Sequence, residues 1–316
     1  MPELSSPTDQ SPDPPRVRDA RAVLSQAHRD LVSITKARLS ILVVITTLCG
    51  YVAATIGGGA PFRWGLMTHL LIGTVLAAFG SAVFNQLMEV DADARMTRTS
   101  DRPLPARRMP PAFAFVLGWL LAAFGIIHLA MKVNPSAAAF AGATLVSYLF
   151  VYTPMKRRSS GNTLIGAVSG ALPPLIGWAG GGGHILSWGS AYWFLVLFFW
   201  QLPHFVAINW MYREEYERGG FVMWSNGDET GGRTAKLALL FSVAVMLLPI
   251  LPVATHQTSV WFLIPGMVSG FLMVWLAWRF HRSRERRDAR TLFFFTLLYL
   301  PIVLVASLLA WRTGAA

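Results

Sequence analysis

The sequence predicts an all-α membrane protein, a polytopic bundle of about nine transmembrane helices. Hydrophobic residues make up 54% of the 316 positions and charged residues only 14%, which is not the composition of a soluble protein. Apolar runs of about 20 residues, long enough to cross a ~30 Å hydrocarbon core, recur along the chain. Lys and Arg are concentrated in alternate loops between these runs, a pattern typical of oriented membrane proteins.

The chain divides into a tail and one membrane-embedded domain. We expect residues 1–30 to form a disordered polar tail, because this Pro-rich stretch holds too little apolar surface to offset the cost of ordering it. The embedded domain then covers residues 31–316. Its spans are expected at 40–58, 65–88, 112–131, 136–153, 162–182, 187–210, 236–253, 258–280 and 291–311.

Charge predicts the orientation of the spans. Of the 27 Lys and Arg residues, all but Arg63, Lys132 and Arg312 lie in the N-terminal segment or in alternate loops. This predicts a cytoplasmic N-terminus and a C-terminus outside. The excess of Lys and Arg that gives the net charge of +11 is explained by membrane orientation, so we exclude nucleic-acid binding. The single Cys49 lies in an apolar run, so neither a disulfide framework nor a thiolate metal site is expected.

The strongest motif closes the second span, at residues 84–104. Asn85, Glu89 and Asp93 are spaced four apart, so on a helix each lies about 40° from the last. Three oxygen ligands on one face suit Mg²⁺, which usually shares its ligands with substrate phosphates. Asp91 lies about 240° from Asn85 and should point elsewhere. The competing interpretation is a solvated, self-paired loop beside the membrane.

Basic residues accompany this motif. Arg98 and Arg102 follow it, and guanidinium groups suit phosphate oxygens. Lys156 and Arg157 lie between this acidic loop and a second one at 214–229. Positive-inside anchoring explains part of their presence, and a phosphate contact is an equally good explanation.

The fifth and sixth spans carry unusual residues for a membrane. Pro173 and Pro174 should distort the fifth span, which is rich in small residues. Gln201 and His204 are three apart near the end of the sixth span, beside Pro203. Polar side chains inside a span are candidates for function. The alternative for His204 is a hydrogen bond that only joins two helices.

Three blocks of residues together resemble the UbiA-like membrane prenyltransferases, and among them the protohaem IX farnesyltransferases (haem O synthases). The resemblance covers about residues 31–225. The first block holds Asn85, Glu89, Asp91, Asp93, Met96, Arg98, Thr99, Arg102, Pro103 and Leu104. The second holds Tyr152, Lys156, Arg157, Asn162, Gly166, Gly170, Pro173, Pro174 and Trp178, and the third Trp200, Gln201, Pro203, His204, Phe205, Glu215, Tyr216 and Gly219.

The resemblance implies transfer of a farnesyl group from farnesyl diphosphate to a vinyl group of haem B, with addition of water. It implies Mg²⁺ as cofactor, held by Asn85, Glu89, Asp93 and Glu215. Arg98, Lys156 and Arg157 would contact the diphosphate. The remaining substrate-binding residues that it implies are Lys36, Arg38, Arg102, Asn162, Gln201, His204, Glu215 and Tyr216. Many relatives have Asp at the positions of Glu89 and Glu215, and a Pro where this chain has Ala37.

The same resemblance implies a multi-pass protein of the bacterial inner membrane with its site on the cytoplasmic side. Because haem-handling enzymes can pass their product onward, a downstream haem-modifying membrane protein is a partner to consider, although no residue indicates one. Two other classes fit part of the pattern: an aromatic, quinone-precursor prenyltransferase, and a transporter of anionic amphiphiles. The block at 200–205 argues against the first. The position of the acids at the membrane surface argues against the second.

Overall fold

The computed structural model describes residues 17–58 and 61–314 of the chain. Within these residues it contains helices and loops but no β-strand, and nine helical segments are long and apolar enough to cross a membrane. These segments run over Ala37–Gly57, Trp64–Met88, Pro111–Lys132, Pro135–Met155, Asn162–Gly180, Trp188–Met211, Gly232–Ala254, Val260–Ser283 and Arg286–Ala310. The predicted fold class is confirmed.

The helices are numbered here in chain order. They are α1 (Val17–Ile34), α2 (Ala37–Gly57), α3 (Trp64–Met88), α4 (Val90–Arg95), α5 (Pro111–Lys132), α6 (Pro135–Val146), α7 (Thr153–Met155), α8 (Asn162–Ala171), α9 (Pro173–Gly180), α10 (Trp188–Met211), α11 (Arg213–Arg218), α12 (Gly232–Leu247), α13 (Ile250–Ala254), α14 (Leu263–Ser283) and α15 (Arg286–Ala310). The last span was predicted from residue 291, but α15 already begins at Arg286. Its first turn carries charges that hydropathy assigns to the loop.

The polar tail predicted for residues 1–30 is helical in its second half. Residues 1–16 lie outside the described part of the chain, whereas residues 17–30 belong to α1. Ala27, Leu31 and Ile34 recur at helical spacing, and this amphipathic pattern favours a helix despite the polar composition. Ile34 is fully buried against the bundle. An ion pair between Asp30 and Arg108, 2.9 Å apart, fixes the same end of α1.

Prolines break two of the spans, and both breaks lie beside the candidate site. The fifth span is interrupted at Leu172, directly before the prolines Pro173 and Pro174 that begin α9. The fourth span passes from α6 into one π-helical turn, Ser147–Tyr152, before Pro154. Pro154 has no N–H to donate, so the regular hydrogen-bond pattern of the helix is interrupted at this point. Such π-helical turns are frequent at functional sites.

Small residues bring α2 and α9 into direct backbone contact. A Cβ atom on Gly177 would lie 1.8 Å from the carbonyl oxygen of Thr47, and one on Gly50 would lie 2.0 Å from that of Pro174. At the same contact the Thr47 hydroxyl donates a 3.1 Å hydrogen bond to the carbonyl of Pro173. Only glycine permits this approach, which places the broken fifth span in the centre of the bundle.

The predicted orientation can be tested with terminal tags. A tag before Met1 should be accessible only from the cytoplasm, and a tag after Ala316 only from outside, because nine spans put the termini on opposite sides. Protease accessibility in intact and opened spheroplasts measures this. Two termini on one side would remove a span from the bundle.

The contact between α2 and α9 predicts that Gly177→Ala lowers the free energy of unfolding in detergent by about 1–3 kcal/mol, the usual cost of overpacking. The matched control is Gly142→Ala in α6, where an added Cβ meets nothing within 4 Å. Equal stability of the two variants would contradict the close approach.

Candidate active site

A cavity of about 660 Å³ with several charged side chains on its wall lies at the end of the bundle where α1, α2, α4, α8 and α10 meet. Six Lys and Arg side chains and only two acids line it, which suits an anionic ligand. Nine of the predicted site residues lie on its wall: Lys36, Arg38, Glu89, Asp93, Arg98, Arg102, Lys156, Asn162 and Tyr216.

The two carboxylates of this cavity each face a basic side chain. Lys156 Nζ lies 2.8 Å from Glu89 Oε1, and both side chains are buried. Arg102 lies 2.6 Å from Asp93 Oδ2. Burial would raise the pKa of Glu89, but the charges of Lys156 and Lys36 outweigh it and hold that pKa below its usual range. Glu89 is therefore ionised and available as an oxygen ligand.

A helix break positions these carboxylates. The prediction placed Asn85, Glu89 and Asp93 on one continuous helix, whereas the structure ends α3 at Met88 and begins α4 at Val90. The amide of Asp93 still donates to the carbonyl of Glu89 over 2.8 Å, so one helical turn bridges the break. Asp91 is exposed and absent from the cavity wall, as its spacing predicted.

The donor set fits Mg²⁺ better than a metal held by protein alone. No three His, Cys, Asp or Glu side chains within the described residues cluster closely enough to hold a metal ion. Two carboxylates are what Mg²⁺ needs, because it is commonly bound by one or two carboxylates together with substrate phosphates. Glu89 Oε2 and Asp93 Oδ1 accept no hydrogen bond from any described residue, and both could act as ligands.

Asn85 lies behind the cavity wall rather than on it. Its side chain is fully buried, and its amide group donates a 3.1 Å hydrogen bond to Thr153 Oγ1. Its amide oxygen accepts a hydrogen bond from Lys36 Nζ. Burial lowers the pKa of Lys36 to about 7, so a bound anion nearby would hold this amine protonated. In this structure Asn85 positions Lys36.

A second, largely apolar cavity of about 370 Å³ continues from the first into the bundle. Lys36, Leu39, Tyr152 and Phe205 line both cavities, so the two meet at these side chains. The second cavity also contains Gln201 and His204 on its wall. The arrangement suits an amphiphile with an anionic head and an apolar tail.

His204 is held in one tautomer. The hydroxyl of Thr296 donates to the carbonyl of Phe293 over 2.6 Å, so its oxygen accepts from His204 Nδ1–H over 2.8 Å. His204 Nε2 then carries the lone pair and has no hydrogen-bond partner among the described residues. The imidazole also stacks on Phe293 and Trp200, with ring centroids 4.8 and 5.3 Å away.

Gln201 has a different environment. Its side-chain N–H groups donate to the carbonyls of Ala167 and Leu197, over 2.8 and 2.9 Å, and thereby join α10 to α8. Gly170 lets the Gln201 amide approach, because a Cβ there would lie 2.3 Å from Gln201 Oε1. Gln201 shapes the wall of the apolar cavity and has no N–H left for a ligand.

Two tyrosines that were not among the predicted site residues lie near the junction of the cavities: Tyr152 lines both cavities and Tyr148 only the apolar one. Tyr148 and Tyr152 belong to the π-helical turn, with ring centroids 5.4 Å apart. Lys156 Nζ lies 4.5 Å above the Tyr152 ring, and Lys36 Nζ is 3.5 Å from the Tyr148 hydroxyl. Tyr148, Tyr152 and Lys156 are spaced four apart, which could have indicated that they share one face of a helix. The π-helical turn that orients the two tyrosines was not predictable.

Besides Asn85, two predicted residues lie outside both cavities. Arg157 is exposed and lines neither. Glu215 lines a third, basic cavity and pairs with Arg218 over 2.5 Å. Glu215 therefore does not line the cavity that contains Glu89 and Asp93, and its role as a metal ligand remains a prediction.

Comparison with known proteins defines the class. The model of the UbiA prenyltransferase family matches residues 43–299, and the chain belongs to this family. Similar curated proteins are called protoheme IX farnesyltransferase. The one from Opitutus terrae is 43% identical over 88% of this chain and 92% of its own length. The human mitochondrial one is 34% identical over 89% of this chain and 62% of its own length.

Solved structures agree on the fold. A digeranylgeranylglyceryl phosphate synthase superposes with a TM-score of 0.74 at 15% identity, covering 90% of this chain and 98% of that chain. A UbiA homologue from Archaeoglobus fulgidus bound to GPP and Mg²⁺ superposes with a TM-score of 0.59 at 12% identity, covering 88% and 99%. The chain is thus a membrane-embedded prenyltransferase.

Proposed function

We propose that this protein transfers the farnesyl group of farnesyl diphosphate to a vinyl group of haem B, with addition of water, giving haem O and diphosphate. The observation that carries the proposal is the continuous pair of cavities, basic at the mouth and apolar within. The relatives named protoheme IX farnesyltransferase support the choice of substrates.

The basic cavity binds the diphosphate head. Lys156 and Arg102 contact carboxylate oxygens on the wall of this cavity, and Lys36 contacts the amide oxygen of Asn85 behind the wall. A diphosphate can take the place of these partners. Glu89 and Asp93 would hold Mg²⁺, which supplies positive charge to the leaving diphosphate when it is bound. As the bond between carbon and diphosphate oxygen breaks, these fixed charges stabilise the negative charge that develops.

The apolar cavity receives the farnesyl tail. Its wall is largely apolar, so it shields the allylic cation from water until the acceptor is in place. Tyr148 and Tyr152 stand where the reacting carbon would lie, between the basic and apolar parts. Their ring faces attract a cation. The vinyl carbon then forms the new carbon–carbon bond, and water adds at the neighbouring carbon with loss of a proton.

His204 serves the haem. Because His204 Nδ1–H donates a hydrogen bond to Thr296, the Nε2 lone pair is free to ligate iron or to orient the porphyrin. The diphosphate is better served by the fixed charges of Arg98 and Lys156.

The protein's location and partners follow from the same proposal. Most Lys and Arg lie at the end of the bundle that carries the basic cavity, which supports a bacterial inner-membrane protein with a cytoplasmic site. A downstream haem-modifying membrane protein stays a hypothesis.

The proposed function is tested by supplying purified protein with farnesyl diphosphate and Mg²⁺ and comparing two acceptors. Haem B should be converted to haem O, whereas 4-hydroxybenzoate should not be prenylated. Prenylation of 4-hydroxybenzoate alone would replace the proposal by the quinone-precursor reaction.

Glu89→Gln and Asp93→Asn should each lower turnover by at least ~100-fold, the scale for loss of one electrostatic stabiliser. Glu89→Asp is the matched control, since it keeps the charge beside Lys156, and it should retain most of the activity. Initial rates of haem O formation at saturating Mg²⁺ measure the effect. Near-wild-type rates for Glu89→Gln would remove this residue from the metal site.

His204→Ala should weaken haem B binding, seen as an altered Soret band in titrations, while affinity for farnesyl diphosphate stays within about threefold, or ~0.7 kcal/mol. Thr296→Val keeps the imidazole but removes its hydrogen-bond acceptor, so it should have a smaller effect on the same titration. If His204 only joined two helices, both substrates would be affected equally and the protein would be less stable.

A further inference from the structure

A third cavity of about 540 Å³ opens at the same end of the bundle as the diphosphate cavity. Five arginines and two glutamates line it, so its wall carries excess positive charge. Only one residue of this cavity has a role in the proposed reaction. It is Arg98, which also lines the diphosphate cavity. The basic residues of its wall are Arg98, Arg213, Arg218, Arg284 and Arg286.

Three of these arginines are available to a ligand. Arg213 and Arg218 pair with the neighbouring Glu214 and Glu215, at 3.7 and 2.5 Å. By contrast, no carboxylate in the described part of the chain lies within ion-pair distance of the remaining three. The three unpaired guanidinium groups belong to Arg98, Arg284 and Arg286.

The backbone at Arg284 is unusual for its residue type. Arg284 ends α14 in the left-handed conformation, with φ 58°, a position that favours glycine or asparagine. An arginine there is disfavoured by conformation alone. The resulting turn between α14 and α15 places Arg284 and Arg286 on the wall of one cavity.

One helix connects this cavity with His204. Residues 201, 204, 205, 208 and 212 of α10 and its cap recur at helical spacing, so they share one face. That face passes from the apolar cavity at His204, through the diphosphate cavity at Ile208, to Tyr212 in the third cavity. Arg98 lies over the Tyr212 ring, 5.5 Å from its centroid. His204 and Tyr212 are ~12 Å apart along the helix.

We propose that the third cavity binds the carboxylate groups of the acceptor, the two propionates of the porphyrin, through Arg284 and Arg286. This inference rests on the proposed function, because that reaction defines a dicarboxylate porphyrin as acceptor. Guanidinium groups bind carboxylates through paired hydrogen bonds. With the propionates there and the ring beside α10, a vinyl group at the far edge is directed into the cavity that holds the allylic diphosphate.

The neighbouring glutamates favour carboxylates over a diphosphate. Glu214 and Glu215 lie on the wall of the third cavity, and the buried oxygen Oε2 of Glu215 has no hydrogen-bond partner. A highly charged diphosphate would be repelled by this oxygen more strongly than a singly charged carboxylate. The protein offers the diphosphate a more basic place beside Lys156 and Arg102.

The test compares haem B with its dimethyl ester, which keeps the ring and both vinyl groups but removes the two negative charges. Binding is measured by Soret titration without farnesyl diphosphate, so that it does not depend on turnover. The variant Arg284→Gln/Arg286→Gln should weaken haem B binding about tenfold, the scale of two partly exposed charged contacts. It should leave binding of the dimethyl ester within about twofold.

Two further variants distinguish a loss of binding contacts from a loss of stability and from a general change in net charge. Arg284→Gly suits the left-handed backbone, so this protein should be at least as stable as the wild type and still bind haem B less well. Arg287→Gln removes a charge from the same first turn of α15 without touching the cavity, and it should leave binding unchanged.

Several results would overturn the assignment. They are equal weakening of haem B and its ester in Arg284→Gln/Arg286→Gln, no weakening of either, or a change in inhibition by inorganic diphosphate instead. Wild-type protein that binds both acceptors equally would also refute it. Failure of the proposed function is recognised separately, as absence of haem O in the turnover assay despite normal discrimination between haem B and its ester.

Discussion

The site is organised around the buried ion pair between Lys156 and Glu89. Two ionised groups out of water are costly, and removing one partner from such a pair typically costs about 3–5 kcal/mol. The chain supports the pair by fixing both backbones. Glu89 sits at the junction of α3 and α4, and the carbonyl of Lys156 accepts a 2.6 Å hydrogen bond from the amide of Val222. Three separate stretches of sequence therefore meet at one pair of charges.

This pairing also explains how a strongly basic cavity is compatible with a stable fold. Lys36, Arg102 and Lys156 each contact an oxygen of Asn85, Asp93 or Glu89. The same basic groups can turn to a phosphate when one enters, because a phosphate offers them more charge than a single carboxylate. The carboxylates released in this way are the oxygen ligands that Mg²⁺ needs. Ligand and metal would then bind together, each making room for the other.

Much of the fold and part of the site could be predicted from the sequence. Nine apolar spans and the loop charges were sufficient for the bundle, since hydropathy depends on composition and not on exact contacts. The spacing of Glu89 and Asp93 predicted that they share a cavity. Spacing could not reveal that Glu215 belongs to another cavity, because its position depends on how the loop after α10 folds back. The π-helical turn that orients Tyr148 was unpredictable for a similar reason, as Pro154 can be accommodated in several ways.

The backbone contact between α2 and α9 has a consequence for how the protein is assembled. Thr47 and Pro173 are 126 residues apart in sequence, so the first span cannot complete its packing until the fifth has entered the bilayer. During synthesis the first four spans must remain in lipid with the bare Gly50 surface uncovered, and a contact that closes so long a loop forms slowly. During this period of synthesis, an insertion factor or a quality-control protease could recognise the incomplete bundle. Packing of α9 against α2 ends this period and also completes the wall of the apolar cavity.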